Sequence, residues 1–443
     1  MNTTVTQSLA EKWAGEVREA EFPAAPDWLA QLRGQAAGSF AAGGLPHRKV
    51  EAWKYTPLKR LETLAPGLPA WNEPVSAAEI PDSLLEGNAV TVDIVDGSVH
   101  GQPPQTPPGL SVLKFEDALE AFGSRIRSLA EKVELDGPTH AFAALNTAYL
   151  HRSLVVHVGE NVDGGSLVVR WSAGSAETRR FIPFRLFVLL DAGARLELIE
   201  QHLGGGPSAA LNVMVQSQLG EKSRLKHVRV QAESEDTVLL TSTSVEQAAE
   251  SHYGYVGFDL GGGLVRHELY TKLGGSGAVA ELAGACVLDG NRHGDTRISV
   301  DHAAPDCTSE QYFRCVLGGS SRGVFNGRAL IREGADGSSV QQSNANLLLS
   351  RLAEMDTKPE LEIYADEVEA SHGATVGQLD ETAVFYLRSR GLSEAEARHL
   401  LTTAFCHAVS SRLDNRVLAE KIGQMLDAAM PESESYGDKL ETV

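Results

Sequence analysis

The chain has 443 residues and carries 39 Lys and Arg against 59 Asp and Glu, a formal charge of −20. With 42% hydrophobic and 22% charged residues it has the composition of a folded globular protein, not of a disordered tail. A chain this acidic repels phosphate backbones, which leaves nucleic-acid binding without an electrostatic footprint, and no run approaches the roughly 18 apolar residues of a membrane span.

At about 150 residues per unit the length suggests up to three parts. The start, MNTTVTQSLAEKW, lacks the basic flank and apolar stretch of a signal peptide, so a cytoplasmic location is expected. Cys286, Cys307, Cys315 and Cys406 are too few to staple the fold and form no CxxC, which points to reduced thiols.

The first part, residues 1–150, reads as mostly helical. Apolar residues at helical spacing (Leu9, Trp13, Val17; then Trp28, Leu32) are interrupted by Pro23 and Pro26, which divide residues 8–37 into two helices. HRKVEAWKYTPLKRL (47–61) is basic and aromatic, either a helix end anchored by Trp53 and Tyr55 or a partner-docking segment. A Pro-rich connector (101–110) precedes one more helical stretch, FEDALEAFGSRIRSLAEKV.

Residues 151–379 read as the second part, built of strands. Short apolar or alternating runs such as SLVVHV, ARLELIE, RLKHVRVQ and RISVDH recur with hardly a long helix between them, which excludes a doubly wound fold. In ARLELIE, Ala194, Leu196 and Leu198 alternate with Arg195 and Glu197, the period of a half-buried strand. A sandwich, a barrel and a β-solenoid remain, and irregular spacing with Gly-rich corners favours the solenoid.

The third part, 380–443, returns to helix. DETAVFYLRSRG ends at Gly391, and Ser393 to Glu396 form a capping box. That box opens a helix with an expected apolar stripe of Ala397, Leu400, Leu401, Ala404, Phe405 and Ala408. A last helix and an acidic tail, PESESYGDKLETV, complete the chain.

Few motifs carry chemistry. There is no GxxxxGK[ST], GxSxG or HExxH. Gly275, Gly277 and Ala280 match GxGxxA, but the residues after them read as strand, so they are expected to be turn glycines, as are the GGG runs at 204–206 and 261–263. Cys307 and Cys315 could hold a metal with His293 or His302, or else pack as inert thiols; Cys406 beside His407 is expected simply to pack. In KPELEIYADEVEASHGATVGQ (358–378), Glu367, Glu369 and His372 are expected to gather near a turn where the last strand meets the helices. An imidazole beside carboxylates can bind a metal or shuttle a proton, and a hydrogen-bonded structural histidine is the alternative.

At these residues the chain resembles the SufD branch of the SufB/SufD family, which belongs to the SUF system of iron–sulfur cluster assembly. The resemblance rests on HRKVEAWKYTPLKRL, on CTSEQYFRCVLGGSSRGVFNGRALI (307–331), on the segment from NANLLLS to FYLRSRGLS (344–393) and on LTTAFCHAV (401–409). It implies a right-handed parallel β-helix core flanked by N-terminal and C-terminal helical domains. It also implies a SufB–SufC–SufD complex in which SufC is the ATPase, with SufD itself an assembly subunit without catalysis.

By the same resemblance, the C-terminal helices around Leu379, Asp380, Phe385, Tyr386, Arg388 and Arg390 would dock SufC, and the β-helix would pair end to end with SufB, or with a second copy when isolated. His372 would contribute to a nascent cluster or iron site completed by SufB, with no cofactor stably held by the isolated chain. Many relatives carry Cys before Ser-His-Gly where this chain has Ala370. The readings weighed against SufD are SufB itself and, from another class, a β-helix carbohydrate-active enzyme. The scarcity of cysteines counts against the first and the start of the chain against the second.

Overall fold

The computed structural model describes residues 8–70, 80–85, 87, 89–101, 104–173, 179–203 and 209–431. The GGG at 204–206 and nearly all of the acidic tail lie outside these residues. The chain winds into a β-solenoid of about seven turns with helices at both chain ends. Two sheets face each other, one of ten strands and one of nine, and from Ser153–Val158 onward successive strands alternate between them. Val279 lies opposite Thr308 and Arg322 opposite Glu354, so each coil takes about thirty residues. No crossover helix is needed because the connection to the next parallel strand is itself a strand of the other sheet.

The period-two pattern decides what faces the interior. Strand Arg195–His202 buries Leu196 and Leu198 and exposes Arg195, as expected from ARLELIE. Inward Leu and Val side chains stack coil on coil into one continuous core that includes Leu167, Leu198, Leu225 and Leu282. Corners bring backbone onto backbone. A Cβ at Gly275 would collide with the main chain of Ala248 and Ala249, and Gly277 has φ +71°. Strand Val279–Leu288 comes directly afterwards, so the GxGxxA match is a coil corner and not a phosphate-binding turn.

The two helical regions cover opposite outer faces. Leu9–Glu19 and Asp27–Gly43 pack through Trp13, Ala36 and Phe40 on Phe181, Ala210 and Leu240 of the nine-stranded sheet. Asp27–Gly43 runs past the expected end at 37. HRKVEAWKYTPLKRL lies along the same face. Trp53 is buried beneath the Arg266 guanidinium, 3.8 Å from its ring centre, Arg266 pairs with the buried Asp295, and Thr56 donates to that carboxylate. Trp53 is thus the core anchor expected of it, whereas Tyr55 is only half-buried. Glu394–Ser410 and Arg416–Ala429 cover the ten-stranded sheet through Cys406, Val409, Leu418 and Ile422.

The ends of the solenoid differ. At the first end each sheet closes with an antiparallel pair: Val90–Val95 with Ser98–His100, and Leu110–Lys114 with Ser153–Val158. Val90–Val95, Ser98–His100 and Leu110–Lys114 lie in the part that the sequence pattern presents as mostly helical with a Pro-rich connector, whereas Ser153–Val158 is the expected strand SLVVHV. At the other end Glu354–Ile363 and Val368–Gly377 are outermost in their sheets, each paired on one side only.

Two outcomes are expected of this packing. Gly275→Ala should cost about 1–3 kcal/mol of stability in urea unfolding, as overpacked sites do. Glu233 sits behind the Gly261 corner, with one carboxylate oxygen buried and without a partner, and burial pushes its pKa from 4.5 up to about 8. The folded chain therefore keeps this proton up to about pH 8 while the unfolded chain loses it near 4.5, so stability falls as pH rises through that window. Glu233→Gln should raise the melting temperature at pH 8, with the gain closing towards pH 4.

Candidate functional site

The SHGATVGQ segment is not a turn. Residues Val368–Gly377 form the last strand of the ten-stranded sheet, and His372 lies in its middle, opposite Gln342. In the preceding strand, Ser338–Leu348, Val340, Gln342, Asn344 and Asn346 are the buried, inward positions. Register then places Ala370, His372, Ala374 and Val376 on the inward side, and Glu369 on the outer one. Glu367 precedes the strand, with its carbonyl accepting from Gly337 N–H at 2.7 Å. The expected gathering of Glu367, Glu369 and His372 is therefore not realised, because alternation sends Glu369 to the other face.

His372 belongs to an inward column that includes Leu282, Gln311 and Gln342. No further coil lies above it, so the imidazole is exposed where a continuing solenoid would bury it. Beneath it the interior is polar. Gln342 Nε2 donates to Gln311 Oε1 at 2.8 Å, Asn346 Nδ2 to Asn344 Oδ1 at 2.7 Å, and Thr357 Oγ1 to Asn344 Oδ1 at 2.8 Å. The last coil also exposes three apolar side chains, Ile363, Tyr364 and Val376, by 42%, 64% and 45%, among polar ones such as Glu369, Ser371 and Thr375. The outer face of Glu354–Ile363 carries ion pairs instead, Arg322 with Asp356 and Arg328 with Glu362. An edge strand with a row of unpaired backbone groups has the chemistry to accept a further strand.

Among the described residues no group of three His, Cys, Asp or Glu side chains has the arrangement of a metal site. All four thiols are free and buried. Cys286 and Cys315 stand in register on neighbouring strands, and the hydrogen bond between them, with burial, pushes the Cys286 thiol well up. Burial pushes up Cys307 and Cys406 as well. Cys307 donates to backbone carbonyls, and His302 pairs with Ser309 and Ser338 hydroxyls, so the Cys307/Cys315/His302 alternative is not assembled. His293 stays neutral, burial lowering it to about 4. Cys406 packs, as expected, and His407 pairs with Asp427 at 3.0 Å.

The interior also holds a buried network that the sequence reading passes over. The His227 ring bridges Glu200 Oε1 at 2.8 Å and Tyr253 Oη at 3.0 Å, and Arg229 pairs with Asp259. Glu200, His227 and Arg229 break the apolar parity of ARLELIEQH and RLKHVRVQ at inward positions, which is the signal that marks them.

The C-terminal helices behave differently from the expected stripe. The capping box at Ser393 and Glu396 is present, but Glu394–Ser410 buries Ala397, Thr402, Cys406 and Val409 and leaves Leu400 exposed. The buried face is rotated from the expected one because the helix must cover the sheet and Arg416–Ala429 together. The shorter helix Glu381–Ser389 is capped by Asp380 and buries Val384; Leu379 packs at its base. Phe385 and Tyr386 stand out at 72% and 57% exposure. Arg390 lies over the Tyr386 ring at 5.2 Å, and Arg388 pairs with Glu394. The suggested docking residues other than Leu379 thus share one exposed helix and its cap.

The fold is thus a parallel solenoid with one blunted end, one open end and helices packed on both outer faces. Residues 173–405 match the SufBD core domain of SUF system FeS cluster assembly. The chain belongs to this SufBD family. It is 30% identical to an iron–sulfur cluster assembly SufBD family protein of Synechocystis, over 90% of this chain and 89% of the relative. It is 29% identical to the iron–sulfur cluster assembly protein SufD of Escherichia coli, over 88% and 90%, and 27% identical to the chloroplastic protein ABCI7 of Arabidopsis thaliana, over 89% and 84%. The chain is thus a protein of Fe–S cluster assembly in the SUF system, and the carbohydrate-enzyme reading has no support. Among the described residues no helix is long and apolar enough to cross a membrane.

Because His372 is exposed on an edge strand, His372→Ala should leave the isolated chain folded, at a cost of no more than about 1–3 kcal/mol in unfolding free energy. Chemical denaturation checks this.

Proposed function

We propose that this chain is a non-catalytic, cytoplasmic subunit of a SufB–SufC–SufD complex, in which its open solenoid end pairs with SufB and His372 contributes one ligand to a nascent iron–sulfur cluster. The observation that carries the proposal is the position of His372: the end of an inward column, on an edge strand with one side unpaired, in a coil that also exposes Ile363, Tyr364 and Val376. A partner solenoid that continued the sheets would bury this imidazole in the joint. The cluster is cargo here, not a resident cofactor. A cluster needs several ligands, usually thiolates, and this chain offers one imidazole at the rim, so the others come from SufB.

SufC supplies ATP hydrolysis, in keeping with the missing phosphate-binding loop, and docks on the helix that presents Phe385, Tyr386, Arg388 and Arg390. Aromatic and Arg side chains on an exposed helix are the residues that dominate interface energetics. The buried thiols count against a SufB-type role as sulfur acceptor, since a protonated, inaccessible thiol is a poor nucleophile.

Two outcomes are expected. The complex reconstituted with His372→Ala should assemble normally but yield several-fold less acid-labile sulfide and iron per complex; an unchanged yield would overturn the role of His372. Val376→Asp, which sets a charge at an exposed apolar position of the last coil, should abolish co-purification with SufB and self-association in size-exclusion chromatography with light scattering, while SufC binding persists.

A further inference from the structure

The inward column beneath His372 contains an imbalance. Gln311 uses both ends of its amide: Nε2 donates to the Arg328 carbonyl at 3.3 Å, and Oε1 accepts from Gln342 Nε2 at 2.8 Å. Gln342 gives its Nε2 to that bond, but its Oε1 is buried and has no hydrogen-bond partner. A buried acceptor left unmade costs about 1–3 kcal/mol, so its persistence calls for a donor. The side chain is held firmly. Gln342 is 3% exposed, and on the facing strand Gly327 leaves the space that it fills, since a Cβ there would collide with Gln342 Nε2. The residue in register on the next and last coil is His372. Register neighbours on parallel strands stand about 4.8 Å apart, a step that the Gln311–Gln342 pair already bridges by hydrogen bonding.

We propose that Gln342 is a positioning residue: the exposed His372 side chain, which does not reach Oε1 in this structure, turns so that Oε1 accepts its Nδ1–H, which fixes the imidazole as the Nδ1–H tautomer and directs the Nε2 lone pair outward across the open end. This inference rests on the reading of His372 as a ligand and deepens it. An imidazole ligates through the nitrogen that carries no proton, and the partner of the other nitrogen sets which one that is. The ladder Gln311–Gln342–His372 therefore makes the solenoid interior the support of the rim ligand. Its last donor–acceptor step is completed by a residue that no longer has a coil above it.

The test is made on the full chain with selective 15N-histidine labelling and long-range 1H–15N correlation spectra, His372 being assigned by its loss in His372→Ala. The wild type should show the neutral His372 ring as predominantly the Nδ1–H tautomer. Gln342→Met, close in shape but without the acceptor, and Gln342→Asn, polar but one methylene short, should both release the ring to the tautomer mixture of a free imidazole. Far-UV circular dichroism and melting temperatures select the variants that fold. The inference is overturned if the wild-type ring already shows the free mixture, or if either folded variant keeps the wild-type tautomer. Cluster yield from the His372→Ala complex reports separately on the parent reading: an unchanged yield beside a fixed tautomer would remove the ligand role and leave the Gln342 contact standing.

Discussion

Everything in this molecule depends on the in-register parallel ladder between one coil and the next. A coil of this kind satisfies its backbone groups only through its two neighbours, so the first and last coils are each left with a row of unmade hydrogen bonds. The chain resolves the first of these by folding back antiparallel at Ser98–His100 and Leu110–Lys114. It leaves the second unresolved at Glu354–Ile363 and Val368–Gly377, and it puts the SHGATVGQ segment there. The asymmetry between a blunted and an open end leaves the outermost parallel edges of both sheets at one end of the stack.

The interior changes character along the same axis. The column that ends at His372 begins with Val90, Leu167 and Leu198, passes His227 and Tyr255, and arrives through Leu282 at Gln311 and Gln342. Towards the open end hydrophobic burial gives way to side-chain amides and hydroxyls bonded to one another. Such a ladder adds less free energy per coil than stacked Leu and Val, because each internal hydrogen bond replaces one to water. It is, however, directional, and a directional interior can hold a rim side chain in a set orientation where an apolar one would only exclude water.

Much of this is legible in the residues. Alternation in ARLELIE, the absence of crossover helices over more than two hundred residues, the Gly391 stop and the Ser393–Glu396 box each correspond to a feature of the fold. Two misreadings share one cause. Local pattern sets His372 at a turn because Gly373 and Gly377 look like turn residues, yet glycines also occur in edge strands that bury almost nothing. The stripe through Leu400 comes from apolar spacing alone, although the helix has to satisfy two contacts at once, and Thr402 and Cys406 fill the face that does so. In both places tertiary demand overrides local pattern. The strands between 90 and 114 are hidden for a simpler reason: they are three to six residues long and lie in Pro- and Gly-rich sequence.

The open coil is also where local stability is lowest. Val368–Gly377 buries almost none of its surface and is held by a ladder on one side, while Glu381–Ser389 just beyond it buries only Val384. Regions with few buried apolar contacts and exposed backbone hydrogen bonds open first. The strand that carries His372 and the helix that carries Phe385 and Tyr386 are thus alike in lacking cover, and only Gln378, Leu379 and Asp380 separate them, with Leu379 packed into the core beneath the C-terminal helices and Asp380 capping the helix, so these two elements share one short footing.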